Sequence, residues 1–168
     1  MSDLLRGLVD SGDAAVAELL VKKLTALSKT LALAESCTAG LAADLIARFP
    51  GASNVLWGSF VSYTVDAKVK MLGLDRAMVE KYGPVSRETA CAMAEAALEK
   101  SNADFAAAVT GLAGPGGDGT LVPVGTVWIA LAVRGGETKA QVFHYKDSRN
   151  GVRNSAAKQV VEVLLTMI

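Results

Sequence analysis

The chain has few of the residues from which metal centres and disulfide frameworks are built. Its 168 residues include one histidine and two cysteines, Cys37 and Cys91, which are far apart in the sequence. A zinc site needs three or four closely spaced His or Cys ligands, and a disulfide framework needs several cysteine pairs. We therefore expect no metal, no cofactor and two reduced thiols.

An excess of charge of one sign and long apolar runs are also missing. Lys plus Arg balance Asp plus Glu at 17 each, and the basic residues form no cluster of the kind that binds nucleic acid. The longest apolar run, 122–133, contains proline and glycine and is too short to span a bilayer. The first residues are acidic and amphipathic, unlike a secretory signal. We expect a cytoplasmic protein that binds neither nucleic acid nor membranes.

Hydrophobic residues are abundant, at 51% of the chain, and fall into alternating helical and strand patterns without repeats or linkers. The length favours one domain over 1–168. Helices are predicted over 12–27, 38–49, 65–73, 76–82, 87–100 and 150–167, and strands over 31–34, 55–63, 105–109, 124–133 and 139–145. Crossover helices combined with a closing hairpin predict an α/β fold, a three-layer α/β/α sandwich with a mixed β-sheet.

Ser36 lies where a short apolar strand gives way to a run of small residues that favours a helix start. A residue at such a junction projects from the carboxyl edge of the sheet, where free N–H groups of the next helix can bind an oxyanion or a phosphate. Lys68 follows one turn after Thr64, a possible helix cap, and a helix dipole there would lower the lysine pKa. Because histidine is scarce, the pattern predicts a serine nucleophile with a lysine base.

Each of these residues also has a more common role. Serine at this position is usually only a helix cap, and most lysines are solvated at the surface. Cys37 is an alternative nucleophile, since a thiolate is favoured near a helix N-terminus, and Thr38 is a weaker one. His144 lies in a strand between two aromatic residues, without a Ser or Asp partner nearby in the sequence, which favours a structural or surface role.

The segment 110–119 is the most glycine-rich in the chain. It follows a predicted strand but does not run into a helix, which excludes a dinucleotide fingerprint, and it lacks the Gly-Lys-Ser/Thr of a P-loop. Backbone N–H groups in such a loop can approach an anionic ligand. The alternative is a flexible connection between elements.

Six short blocks stand out, in order, between residues 31 and 153. They are Glu35-Ser-Cys-Thr38, Phe60-Val-Ser-Tyr63, Asp66-Ala-Lys68, Gly83-Pro-Val-Ser86, Val109-Thr-Gly-Leu-Ala-Gly-Pro115 and Pro123-Val-Gly-Thr-Val-Trp128. Together they resemble the CinA C-terminal domain family, the nicotinamide-nucleotide amidases. The resemblance implies hydrolysis of nicotinamide mononucleotide to nicotinic acid mononucleotide and ammonia, a step in pyridine nucleotide salvage. Some relatives carry a larger N-terminal domain, and this chain resembles the stand-alone form.

The resemblance also implies roles for individual residues. It makes Ser36 the nucleophile, Lys68 the general base and Tyr63 an assisting hydroxyl. Backbone N–H groups of Thr38, Thr110 or Gly111 would bind the oxyanion, and arginines with the glycine-rich loop would bind the 5′-phosphate. The full set of expected substrate contacts is Thr38, Ala39, Gly40, Thr110, Gly111, Gly114, Arg149 and Arg153.

The sequence departs from the family pattern without losing a proposed catalytic group. Ala39 replaces the first of two usual glycines, Val65 and Asp66 replace Asn-Glu, the acid in 116–119 is displaced, and Val122 replaces a frequent lysine. Two other classes of function remain open. One is a non-catalytic nucleotide-binding or regulatory domain, and the other is an interaction module associated with competence and DNA damage. A homo-oligomer formed through Trp57, Phe60 and the apolar termini is a further hypothesis.

Overall fold

The computed structural model describes residues 11–168. Its helices and strands are α1 (Ser11–Ala26), β1 (Leu31–Glu35), α2 (Leu41–Ala47), α3 (Ala52–Val55), β2 (Leu56–Val61), α4 (Val65–Ala67), a π-helical turn (Lys68–Leu72), α5 (Arg76–Tyr82), α6 (Arg87–Ser101), β3 (Phe105–Gly111), β4 (Thr126–Val133), β5 (Lys139–His144) and α7 (Arg149–Met167). Among these residues, no helix combines the length and apolar character needed to cross a membrane.

The strands form one five-stranded mixed sheet in the order β2-β1-β3-β4-β5. Strand β1 pairs in parallel with both β2 and β3, whereas β3-β4 and β4-β5 are antiparallel. Helices cover both faces, so the predicted α/β fold with a mixed sheet is confirmed. Because β1, β2 and β3 run in the same direction, the segments that follow them meet at one edge of the sheet.

Side chains of the central strands alternate between two hydrophobic cores. Leu31 and Leu33 of β1 face the core built with α1, α2 and α7, and Ala32 and Ala34 face the core built with α6. All five residues of β1 are buried, as expected for a strand covered on both faces. The second core is rich in alanine on both the sheet and α6, and small side chains let a helix approach a sheet closely.

Several predicted helix boundaries are confirmed by capping contacts. Ser86 Oγ accepts the Thr89 N–H at 3.1 Å at the start of α6. Thr64 Oγ1 accepts the Ala67 N–H, also at 3.1 Å, at the start of α4. These serine and threonine caps satisfy N–H groups that have no partner inside the helix.

Two predictions near the sheet edge are wrong in detail. The helix predicted over 38–49 begins only at Leu41, because Ala39 and Gly40 have φ of +52° and +96°, outside the helical region. The strand predicted over 55–63 is shorter, since the chain forms the unpredicted helix α3 before β2 and turns away after Val61. A turn of several residues therefore separates β1 from α2.

Candidate active site

Ser36 and Lys68 meet at the carboxyl edge of the parallel strands. Ser36 follows β1, and its N–H donates to the Val109 carbonyl of β3 at 3.0 Å. Lys68 begins the π-helical turn that follows β2 and α4. Its Nζ lies 2.8 Å from Ser36 Oγ and 2.9 Å from the Ser62 carbonyl oxygen. The sequence predicted this pair, and the structure places its two reactive atoms in hydrogen-bond contact.

Lys68 is buried, with 1% of its surface exposed, so it is not a solvated surface lysine. Burial penalises the ammonium form and lowers the pKa of Lys68 from 10.5 to about 8. The predicted direction of the pKa shift is correct, but the leading cause is loss of solvation rather than a helix dipole. A pKa of about 8 leaves roughly a tenth of the lysine neutral at pH 7, enough for a general base.

Cys37, the alternative nucleophile, is less suited to attack. The side chain is buried, and burial raises the pKa of its thiol from 9.0 to about 11. A thiolate is therefore rare at neutral pH despite the neighbouring Lys68, which acts in the opposite direction. His144 lies on β5, where its Nδ1 is 3.3 Å from Thr126 Oγ1, in keeping with a structural role.

Glu35, which was not among the predicted site residues, organises the turn after Ser36. Its carboxylate is completely buried at the end of β1. One oxygen accepts hydrogen bonds from Thr38 Oγ1 and the N–H groups of Gly40 and Ala42, at 2.7, 2.9 and 3.1 Å. The other accepts from the Ala43 N–H and from Ser59 Oγ, both at 3.0 Å.

Glu35 therefore occupies the N–H groups at the start of α2, which the sequence analysis expected to be free for an oxyanion or phosphate. The negative charge at a helix N-terminus is favourable, and the five hydrogen bonds replace the solvent that burial removes. A sequence signal was present, because an acidic residue ends a strand that is otherwise apolar, Leu31-Ala-Leu-Ala-Glu35.

Arg153 of α7 approaches the same turn from the opposite end of the chain. Its Nε donates to the Cys37 carbonyl at 3.0 Å and its Nη2 to the Thr38 carbonyl at 3.2 Å. Its Nη1 donates to Asn150 Oδ1 at 3.1 Å. N–H groups of this turn and of the start of α2 therefore donate to the Glu35 carboxylate, and two carbonyl groups of the turn accept from the Arg153 guanidinium.

Tyr63 and Arg149 form the exposed rim of the site. The Tyr63 hydroxyl accepts from Arg149 Nη2 at 2.6 Å, and the Tyr63 carbonyl accepts from Ser36 Oγ at 3.4 Å. Arg149 Nη1 also donates to the Gly114 carbonyl at 2.6 Å. The structure thus brings the backbone of Tyr63 to Ser36, places its hydroxyl on Arg149, and links Arg149 to the glycine-rich loop.

The remaining residues predicted to contact substrate, Thr110, Gly111 and Gly114, are fixed by close packing or by a hydrogen bond to the backbone. Thr110 is buried, and its Oγ1 donates to the Pro84 carbonyl at 2.7 Å. A Cβ on Gly111 would lie 2.7 Å from Val127 Cγ2, and a Cβ on Gly114 would lie 2.5 Å from Val124 Cγ1. These glycines are required by close approach to β4 and the segment before it.

Residues 13–168 match the family model of the CinA C-terminal domain. Among curated relatives, a CinA-like protein of Akkermansia muciniphila is 47% identical over 134 residues, which are 80% of this chain and 32% of that protein. A CinA-like protein of Geobacter metallireducens is 40% identical over 161 residues, 95% of this chain and 39% of that protein. The chain thus spans about a third of the length of the first relative and about two fifths of the second.

Solved structures show the same fold. The competence/damage inducible protein CihA from Agrobacterium tumefaciens superposes with a TM-score of 0.91 and 38% identity, covering 95% of this chain and 98% of that one. A competence-damaged protein (CinA) superfamily protein from Escherichia coli superposes with a TM-score of 0.90 and 30% identity, covering 95% of this chain and 94% of that one. By sequence match and fold, the chain belongs to the CinA C-terminal domain family.

Proposed function

We propose that the chain is a serine–lysine amidohydrolase that converts nicotinamide mononucleotide to nicotinic acid mononucleotide and ammonia. The observation that carries the proposal is the 2.8 Å contact between Ser36 Oγ and the buried Lys68 Nζ, whose pKa is lowered to about 8. Few structural roles call for a buried lysine on a serine hydroxyl, whereas amide hydrolysis needs a nucleophile and a base of this kind. The choice of substrate rests on the family resemblance.

In the first half of the reaction, the neutral amine of Lys68 takes the proton of Ser36 as Oγ bonds to the carboxamide carbon. The carbonyl electron pair moves to the oxygen, giving a tetrahedral oxyanion. When the oxyanion collapses, the C–N bond breaks, and the Lys68 ammonium gives its proton to the leaving nitrogen. Ammonia departs and leaves an ester on Ser36.

The second half uses the same groups with water as the nucleophile. Lys68 takes a proton from water as the hydroxyl adds to the ester carbon. Collapse of this second tetrahedral oxyanion breaks the bond to Oγ, and Lys68 returns the proton to Ser36. The product is the carboxylic acid of nicotinic acid mononucleotide, which loses its proton to solvent and leaves as the carboxylate.

Substrate binding is proposed at the rim between Tyr63 and the glycine-rich loop. Arg149 makes two hydrogen bonds there, to the Tyr63 hydroxyl and the Gly114 carbonyl, which use two of its five N–H donors. Its other donors suit a 5′-phosphate. The Tyr63 hydroxyl, at the same rim, is proposed to assist proton transfer once substrate binds.

The test is ammonia release from nicotinamide mononucleotide with a metal chelator present. We expect turnover by the wild type, and by a Cys37→Ala variant within about threefold, but at least roughly a thousandfold less by Ser36→Ala. Turnover that survives Ser36→Ala and is lost in Cys37→Ala would reassign the nucleophile. Thermal stabilisation by the nucleotide without ammonia release would favour a binding domain instead.

A further inference from the structure

The turn that follows Ser36 leaves the backbone N–H group of Thr38 without a hydrogen-bond partner in the described part of the chain. The other N–H groups up to the first turn of α2 bond either to Glu35 or within the turn itself, which accounts for Ala39, Gly40, Leu41, Ala42 and Ala43. Within the described part of the chain, the Thr38 N–H donates no hydrogen bond to another residue, whereas the Cys37 N–H donates to the thiol of Cys37 itself. Uncommitted N–H groups beside a nucleophile are suited to an oxyanion.

Ser36 begins a turn that is closed by the Ala39 N–H on the Ser36 carbonyl at 3.0 Å. In a turn of this kind, the side chain of the first residue and the N–H group two residues later share one side, as at a helix cap. We therefore expect the oxygen of a carbon attacked by Ser36 Oγ to lie on the same side as the N–H of Thr38, a residue that is itself buried. Its alignment depends on the orientation of the Cys37–Thr38 peptide.

Arg153 fixes that orientation. In a planar trans peptide the C=O and N–H bonds point in opposite directions. The guanidinium holds the Cys37 carbonyl at 3.0 Å, which directs the Thr38 N–H of the same peptide away from α7. It also holds the carbonyl of the next peptide, that of Thr38, at 3.2 Å. These are charge-assisted bonds from a rigid planar group, and the bond to Asn150 orients the guanidinium in turn.

We propose that Arg153 is a positioning residue that aims the Thr38 N–H at the oxyanion formed on Ser36. This role rests on the proposed function, since it assumes attack by Ser36. It differs from the phosphate-binding role expected from the sequence, because it acts on the reaction step whether or not the substrate carries a phosphate.

A phosphate-free probe separates the two roles. An uncharged alkyl fluorophosphonate reacts when Ser36 Oγ bonds to phosphorus, fluoride leaves with the electrons of the P–F bond, and Lys68 takes the serine proton. Charge develops on the phosphoryl oxygen, where an amide oxyanion would lie. Arg153→Met should lower the second-order labelling rate by roughly 10- to 100-fold, less than the full loss of an oxyanion donor. With nicotinamide mononucleotide, kcat should fall while KM stays within about threefold.

Arg134 offers a matched control. Its Nε and Nη2 donate to the Ala103 carbonyl at 3.0 and 2.7 Å, at the edge of the sheet opposite Ser36. Arg134→Met removes equivalent bonds to backbone carbonyls, and we expect labelling within about twofold of the wild type. A second variant, Arg153→Lys, keeps a cation that reaches one carbonyl only, and it should label at an intermediate rate even if Arg153→Met does not fold.

One outcome would overturn the positioning role and leave the amidase proposal intact. In it, folded Arg153→Met or Arg153→Lys is labelled at the wild-type rate but has a raised KM for the nucleotide. Labelling of wild-type Ser36 that depends on Arg153, without ammonia release from the nucleotide, would support the positioning role and refute the proposed substrate. If wild-type Ser36 takes no label, the nucleophile is wrong and both proposals fail.

Discussion

Two buried charged residues flank Ser36, and their surroundings differ. The Glu35 carboxylate accepts five hydrogen bonds. Among the contacts of residues 11–168, the Lys68 ammonium donates two, to Ser36 and to the Ser62 carbonyl, and burial lowers its pKa to about 8. A buried charge with many partners holds structure, whereas one with few partners titrates near neutral pH and is available for chemistry.

The largest effect on activity is expected from removing the Lys68 charge, which has few hydrogen-bond partners. Lys68→Met should lower kcat by roughly a thousandfold or more, because no other group takes the Ser36 proton. Stability at pH 7 should be unchanged or rise by about 1–2 kcal/mol, since an apolar side chain avoids the cost of burying an ammonium. Ammonia release and thermal unfolding measure the two effects.

Lys70→Met is the control for Lys68→Met, since Lys70 is exposed and pairs with Asp66 at 2.9 Å. It should leave kcat and stability nearly unchanged. Between pH 8 and 10.5, Lys68 binds more protons in the unfolded chain than in the folded chain. The free energy of unfolding of the wild type should therefore increase relative to that of Lys68→Met as the pH rises through this window. A Lys68→Met variant that turns over normally would remove Lys68 from the mechanism.

Removing the Glu35 charge, which has many hydrogen-bond partners, should have the opposite effect on stability. Glu35→Gln turns one acceptor atom into a donor that faces N–H or hydroxyl donors, and we expect a loss of roughly 2–4 kcal/mol in the free energy of unfolding. Activity should fall as well, because the turn that holds Ser36 loses its anchor. Chemical denaturation and kcat measure these losses together.

Glu88→Gln, an exposed change in the first turn of α6, is the control and should cost under about 0.5 kcal/mol. If Glu35→Gln were as stable as the wild type and lost activity alone, Glu35 would belong with the chemistry rather than with the scaffold. The contrast between the two buried charges would then be wrong.

The smallest effect on stability and activity is expected from a substitution of Ala39, in the turn between Ser36 and α2. Ala39 is exposed and has φ of +52°, a left-handed conformation that costs an alanine about 1 kcal/mol relative to glycine. Ala39→Gly should raise the free energy of unfolding by roughly 0.5–1 kcal/mol and change kcat less than threefold. Ser28→Gly, at φ of +53° after α1, relieves the same strain away from Ser36. Destabilisation by Ala39→Gly alone would show that the alanine methyl packs in the turn.

The sequence predicts the Ser36–Lys68 pair because both residues follow adjacent parallel strands, and chain direction alone brings such segments to one edge of the sheet. Helix starts at Thr64 and Ser86 are also predictable, since capping contacts are local. The role of Arg153 is not predictable in this way, because its partners lie 115 and 116 residues away.

The late start of α2 has a similar explanation. Small residues after Ser36 favour a helix, but the Glu35 carboxylate, Ser59 and the positive φ of Ala39 and Gly40 together impose a turn. The helix propensity of these small residues is outweighed by the need of the buried Glu35 carboxylate for hydrogen bonds. The cause of the Lys68 pKa shift likewise depends on burial by residues from several elements, which a linear pattern does not report.

Burial of its ammonium group is what makes Lys68 a base at near-neutral pH. The direct test is an NMR titration of ¹³Cε-labelled lysine, with the Lys68 signal assigned by its absence from Lys68→Met. We predict a midpoint near pH 8 for Lys68, well below the ordinary lysine pKa of 10.5. A Lys68 midpoint close to 10.5 would contradict this, because the ammonium would then hold its proton where Ser36 needs a base.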